Sequence, residues 1–159
     1  MVKLTRKSDR RNIVASRRTF FAGCKTYMGR LFFEAQNEAE LFIDVLRTNT
    51  LASKFKLHEF VVMPDHFHVL LTVDGHTSIE RAIQLIKGGY SHAVREQSLR
   101  AIWHSGHHEH RIRDLEDFNS QSLYIANNPT RRNYAEYPHI HTNGTYRPNL
   151  DPTPLHLME

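Results

Sequence analysis

The stretch "MPDHFHVLLTV" (Met63–Val73) decides the fold. Its second part, residues 66–73, is rich in β-branched and aromatic side chains and reads as a strand. Side chains in a strand alternate between the two faces. Phe67, Val69, Leu71 and Val73 therefore make one unbroken apolar face, and His66, His68, Leu70 and Thr72 make the other. The apolar face belongs under packed helices. The two imidazoles project together, about 6.5–7 Å apart along the strand. That spacing lets both rings converge on one divalent ion, for which neutral imidazole is a common ligand. Alone, a His-x-His on a strand also suits a solvated sheet face, and it needs a third ligand and a purpose.

Outward from this strand, "FKLHEFVVM" (55–63) reads as a preceding strand, with "PD" (64–65) as a tight bend between the two. "RRTFFAGCKTYM" (17–28) reads as a first strand. In "NEAELFIDVLRTN" (37–49), Leu41, Phe42, Val45 and Leu46 fall at helical spacing. "TSIE" (77–80) fits a capping box, with Thr77 at the N-cap and Glu80 three residues later. Ile79, Ile83, Ile86, Tyr90 and Val94 then mark an amphipathic helix with a soft point at Gly88-Gly89. "AIWHSGHHEHRIRD" (101–114) reads as strand and loop anchored by Trp103. Asp114 can cap a last helix, "LEDFNSQSLYIANN", which should stop at or near Pro129. The order β-α-β-β-α-β-α predicts an α+β, ferredoxin-like sandwich: a mostly antiparallel sheet, helices packed on one face, and a separate tyrosine-bearing helix. The expected organisation is a basic arm over 1–15, a folded domain over 16–133 and an irregular tail over 134–159.

Composition narrows the function classes. A chain of 159 residues suits one domain with an ordinary core. No apolar run approaches the ~20 residues that span a bilayer, and the N-terminus has no apolar signal core. A single cysteine, Cys24, forbids an internal disulfide and suggests a reducing cytoplasm. The net charge of +4 is uneven. Lys3, Arg6, Lys7, Arg10, Arg11, Arg17 and Arg18 crowd the start of the chain, opposed only by Asp9. Such an arm suits a polyanion, above all nucleic acid. Candidate phosphate contacts are Arg10, Arg11, Arg17 and Arg18, with Lys87 and Arg95 on the second helix and Arg131 and Arg132 just beyond the last. "HHEH" (107–110) reads as a surface or DNA-facing turn, with His110 the member expected to pack near the site. No aromatic residue can be assigned to base stacking from the sequence.

The last helix has an apolar stripe of Leu115, Phe118, Ile125 and Ala126. At ~100° per residue Tyr124 is expected on the opposite side, with Asn128 one turn later and Gln121 nearby. If that side crosses His66 and His68, an amide oxygen can complete a metal site and Tyr124 becomes a nucleophile for phosphorus.

Taken together, "VVMPDHFHVLL", "IKGGYSHAVR" and "IWHSGHHEHRIRDLEDFNSQSLYIANNP" resemble the HUH single-tyrosine transposases, insertion-sequence-type enzymes, and most closely the REP-associated tyrosine transposase branch. The resemblance covers roughly residues 16–133. It implies a ferredoxin-like endonuclease that cuts single-stranded DNA. His66, His68 and Asn128 would hold Mg²⁺ or Mn²⁺, and Tyr124 would form a 5′-phosphotyrosine. The amide at Asn128 is shorter than the glutamine of many insertion-sequence relatives and demands a closely packed helix. Implied partners are single-stranded DNA and DNA hairpins, bound by a monomer or a homodimer. Two other classes stay open: a non-catalytic DNA-binding module derived from such a transposase, and a hydrolytic metalloenzyme in which Tyr124 is a bystander.

Overall fold

In the computed structural model, which describes residues 17–94, 101–131, 141–142 and 150–158, the "HFHVLLTV" run is a strand over its full length. In chain order the elements are β1 (Arg18–Lys25), α1 (Gln36–Leu51), β2 (Lys56–Met63), β3 (His66–Val73), α2 (Ile79–Val94), β4 (His108–Arg111), α3 (Leu115–Arg131) and β5 (His141–Thr142). The strands form one sheet in the order β4-β1-β3-β2-β5, and every neighbouring pair is antiparallel. The first four strands and two helices make the split β-α-β arrangement expected from the pattern.

β3 lies at the centre. It pairs with β1 from Arg18↔Val73 to Lys25↔His66 and with β2 on its other side. All eight of its residues are buried, so neither face is solvated. Phe67, Val69, Leu71 and Val73 pack with Phe20 and Ala22 of β1, Phe42 and Leu46 of α1, and Ile83, Ile86 and Tyr90 of α2. The opposite face carries a second core of Phe21, Val61, Met63 and Leu70, covered by Phe118 and Ile125 of α3 and by Leu157. The sheet is thus a middle layer, with α1 and α2 on one side and α3 on the other. Among the described residues no helix is long and apolar enough to cross a membrane.

Some details differ from the pattern. Ser78, not Thr77, caps α2: its Oγ accepts the Arg81 N–H at 3.1 Å and its carbonyl accepts the Ala82 N–H at 3.0 Å. β1 stops at Lys25, and the chain continues through tight 3-10 turns at Tyr27–Gly29 and Phe32–Glu34. Asp114 does cap α3, its Oδ1 accepting the Asp117 N–H at 2.8 Å. That helix runs past Pro129 to Arg131. Proline removes one bond, to the Ile125 carbonyl, so near its end the helix loses little by continuing.

The expected irregular tail contains a strand. β5 pairs with Val61 and Val62 of β2. Further on, the Asp151 N–H donates to the Leu57 carbonyl at 2.8 Å, and the Leu57 N–H donates to Asp151 Oδ2 at 2.9 Å. These contacts use backbone and one carboxylate, which explains why hydrophobic periodicity did not reveal them.

Candidate active site

The α3 face of the sheet is lined near one end by side chains that do not belong in a core. His66 and His68 are each 6% exposed and their ring centroids lie 5.0 Å apart. α3 lays Tyr124 and Asn128 over them. The Asn128 amide is buried, with Oδ1 3.3 Å from His66 Nε2. The Tyr124 ring meets His68 edge-on at 5.5 Å and Phe21 at 5.6 Å. These four residues surround a cavity of about 450 Å³ that Lys25 and His108 also line.

The helical stripe needs one correction. Tyr124 does not lie opposite the packing face; it is partly buried against the second core, while Ala126 is exposed. The sheet-facing arc runs from Phe118 through Gln121 and Asn128 to Tyr124, about 120° wide at ~100° per residue. A face that meets imidazoles rather than leucines accepts a phenol and an amide, so the buried arc keeps Phe118 and Ile125 of the apolar stripe and extends past them to Asn128 and Tyr124.

Three residues that the sequence reading passed over shape the site. Asp65 Oδ1 lies 2.7 Å from His66 Nδ1. A carboxylate there accepts the Nδ1–H and leaves the Nε2 lone pair facing Asn128 Oδ1. Two acceptors facing each other repel unless a proton or cation lies between them. Neighbouring ligands of an octahedral ion at about 2.1 Å are about 3 Å apart, close to the separation found. A carboxylate on the far nitrogen is also the usual support of a metal-bound histidine. The donor chemistry of His66, His68 and Asn128 therefore fits a divalent cation. Among the described residues no three His, Cys, Asp or Glu side chains are placed together to hold one.

Gly23 of β1 sits between His68 and His108 in the register. A Cβ there would lie 2.4 Å from the Phe67 carbonyl oxygen, 2.7 Å from His68 Nδ1 and 3.0 Å from His108 Cε1. Glycine is what lets these two rings approach to 5.1 Å. His108 itself, exposed at the cavity mouth, replaces His110 as the member of "HHEH" next to the site. Partial desolvation of its ring against the cavity wall, with His107, His66 and Lys25 nearby, lowers the His108 pKa. His110 turns instead to Asp117, with Nε2 2.8 Å from Oδ2. Burial works against ionisation of Asp117, but the Arg113 N–H and His110 outweigh it and hold that carboxyl below its usual range.

Among the described residues, the basic candidates do not gather here. Arg18 lies at the far end of β1 from Lys25, about 23 Å along the strand, with its guanidinium over Phe20 on the opposite face. Arg17 borders a separate hollow with Lys56 and Asp74. Lys87 donates to the carbonyls of His104 and Gly106 at 3.2 and 2.9 Å and so pins the loop before β4. Arg10, Arg11, Arg95 and Arg132 lie outside the described residues, as does the Arg131 side chain.

Comparison with known proteins agrees with this architecture. A REP-associated tyrosine transposase of Escherichia coli is 29% identical over 83 residues, 52% of this chain and 48% of that protein. The match thus spans about half the length of that relative. The solved structure of a REP-associated tyrosine transposase bound to a REP hairpin superposes with a TM-score of 0.67 at 20% identity, over 79% of this chain and 76% of the other. A Deinococcus radiodurans structure superposes with a TM-score of 0.51 at 19% identity, over 71% and 92%. At such identities these two speak for the fold. The family model of IS200-like transposases matches residues 24–127, well over half of the chain and every cavity residue except Asn128, and the chain belongs to that family.

Proposed function

We propose that this chain is a metal-dependent single-stranded DNA endonuclease and strand transferase that works through a covalent 5′-phosphotyrosine on Tyr124. The observation that carries this reading is the meeting of Tyr124, His66, His68 and Asn128 around one cavity, in a chain of the IS200-like transposase family. Tyr124 Oη attacks the scissile phosphorus. The Oη–P bond forms, the P–O3′ bond breaks, the phenol gives up its proton, and the departing oxygen takes one to become a 3′-hydroxyl. Attack of a 3′-hydroxyl on the phosphotyrosine reverses the step and joins strands without an outside energy source. His66, His68 and Asn128 would hold Mg²⁺ or Mn²⁺, which when bound polarises the phosphate and offsets the charge developing on it. Asp65 keeps His66 Nε2 turned to the cavity, and Lys25 adds a cation at its edge. Hairpin DNA belongs to the proposal because the related protein of known structure was solved on a REP hairpin. Phosphate contacts from Arg10, Arg11, Arg17, Arg18, Lys87, Arg95, Arg131 and Arg132 belong to it as well.

The test is an adduct assay. With Mn²⁺ and labelled single-stranded DNA, wild type should leave a band that survives a denaturing gel, and Tyr124→Phe should leave none. Cleavage by Tyr124→Phe at the wild-type rate would favour a hydrolase. Binding by wild type with neither adduct nor cleavage, across hairpin substrates, would favour a non-catalytic module.

A further inference from the structure

The loop that follows β1, "KTYMGRL" (25–31), carries two cations and no acid. It exposes apolar side chains that the core could have taken: Tyr27 is 40% exposed, Met28 77% and Leu31 48%. Such a cluster on a loop calls for an explanation.

The loop is rigidly placed. The Thr26 N–H donates to the Asp65 carbonyl at 2.9 Å, and the single Thr26 Oγ1–H donates to the Arg30 carbonyl at 2.6 Å, with the Asp65 carbonyl 3.1 Å away. The Tyr27 N–H donates to the Ile102 carbonyl at 2.8 Å, and the Phe33 N–H to the Pro64 carbonyl at 3.0 Å. The loop is thereby stitched to the Pro64-Asp65 bend that precedes His66. Met28 is held at φ 53°, ψ 27°, in the left-handed region, with its side chain in solvent. An ordinary residue held there without packing in return is an outlier of the kind that clusters at functional surfaces. The Arg30 guanidinium lies 5.5 Å from the Tyr27 ring centroid, steadying the ring and leaving part of it open. Lys25, two residues before Tyr27, lines the cavity and pairs in register with His66.

We infer that Tyr27, backed by Arg30 and flanked by Met28, is a stacking platform for a base of single-stranded DNA next to the Tyr124 cavity. A fixed aromatic ring offers a π-face to any base, and adjacent cations take the backbone phosphates. The charge of the loop matches that occupant, and its continuity with the cavity through Lys25 places the base within a nucleotide or two of the cut. This rests on the reading of the cavity as a DNA-cutting centre.

The experiment scores binding without cleavage, in the Tyr124→Phe background, with labelled oligothymidylate followed by fluorescence anisotropy. Tyr27→Ala should weaken binding about tenfold and leave its salt dependence unchanged, whereas Tyr27→Phe should bind within about twofold of the parent. Arg30→Ala should weaken binding and flatten the log affinity against log salt plot by about 0.7. In Tyr27→Trp the new indole should be quenched when the oligonucleotide is added. Parental affinity for Tyr27→Ala with no quenching in Tyr27→Trp overturns the inference. Parental affinity together with a change in oligomeric state by light scattering also overturns it, and makes the loop a protein-binding surface. If wild type forms no adduct yet Tyr27→Ala still weakens binding, the platform stands and the proposed chemistry falls. If the adduct forms and Tyr27→Ala binds normally, the reverse holds.

Discussion

At the scale of single residues, the chemistry of the cavity is set by which atoms face it. Alternation along β3 was enough to put His66 and His68 side by side, because a strand's period is local. Tyr124 and Asn128 were legible as neighbours for the same reason, being one helical turn apart. Asp65, Gly23 and His108 were not legible, although the carboxylate stands directly before His66 in "PDHFH". Their roles depend on cross-strand register and on side-chain direction at a bend, which no local pattern encodes. Asp65 offers the sharpest prediction at this scale. Its contact with His66 Nδ1 at 2.7 Å should hold Nε2 ready for an ion. Asp65→Asn should weaken Mn²⁺ binding about 10- to 100-fold, measured by calorimetric titration. Equal affinity in the variant would mean that the carboxylate orients nothing.

At the scale of elements, α3 and the segment after it hold the second face together. The sequence located α3, its Asp114 cap and the buried Phe118 and Ile125, but it placed Tyr124 and Asn128 outside the buried arc. A helix facing a polar patch does not announce its buried side by apolarity. The far end of this face is also polar. His58 is buried, with Nε2 2.7 Å from Thr72 Oγ1 and Nδ1 3.3 Å from the Asp151 carbonyl. Thr72 Oγ1 in turn meets Thr19 Oγ1 at 2.7 Å. Phe118 packs edge-on against the His58 ring, and the charged groups acting on it are the Asp151 carboxylate and Lys56. Burial lowers the His58 pKa below the usual imidazole value, more than the Asp151 contacts raise it. The unfolded chain therefore takes up this proton near the ordinary value of ~6.5, before the folded chain does. Stability from this group is full above that pH and is lost as pH falls below it. The melting temperature should drop between pH 7 and 5, and His58→Gln should shrink the drop. Circular dichroism melts across that range check this, and an undiminished drop in the variant would assign the effect elsewhere. Asp117, whose carboxyl lies low, acts only in the more acid range.

At the scale of the whole molecule, the sheet is a partition. α1 and α2 build an ordinary apolar core on one face, which frees the other for histidines, an amide and a phenol. The element order predicted this sandwich, and the strand order β4-β1-β3-β2 agrees. The edge strand β5 and the return of residues 150–158 were invisible to it, because backbone pairing and a few scattered apolar contacts from Leu150, Pro154 and Leu157 leave no period. One chain carries the complete set, since its own α3 covers its own His66 and His68. A mixture of His66→Ala and Tyr124→Phe should accordingly form no adduct, whereas subunits that exchange α3 would rebuild an intact site in the mixture. An adduct from the mixed variants, seen on a denaturing gel, would show that the tyrosine acts across subunits.

The central claim, that Tyr124 takes the 5′ side of the break, is tested most directly by digesting the wild-type adduct and sequencing the modified peptide by mass spectrometry. The account predicts one nucleotide-bearing residue, Tyr124, linked through a 5′-phosphate, with a free 3′-hydroxyl on the released strand. A nucleotide on any other residue, or a 3′-phosphate linkage, would contradict it.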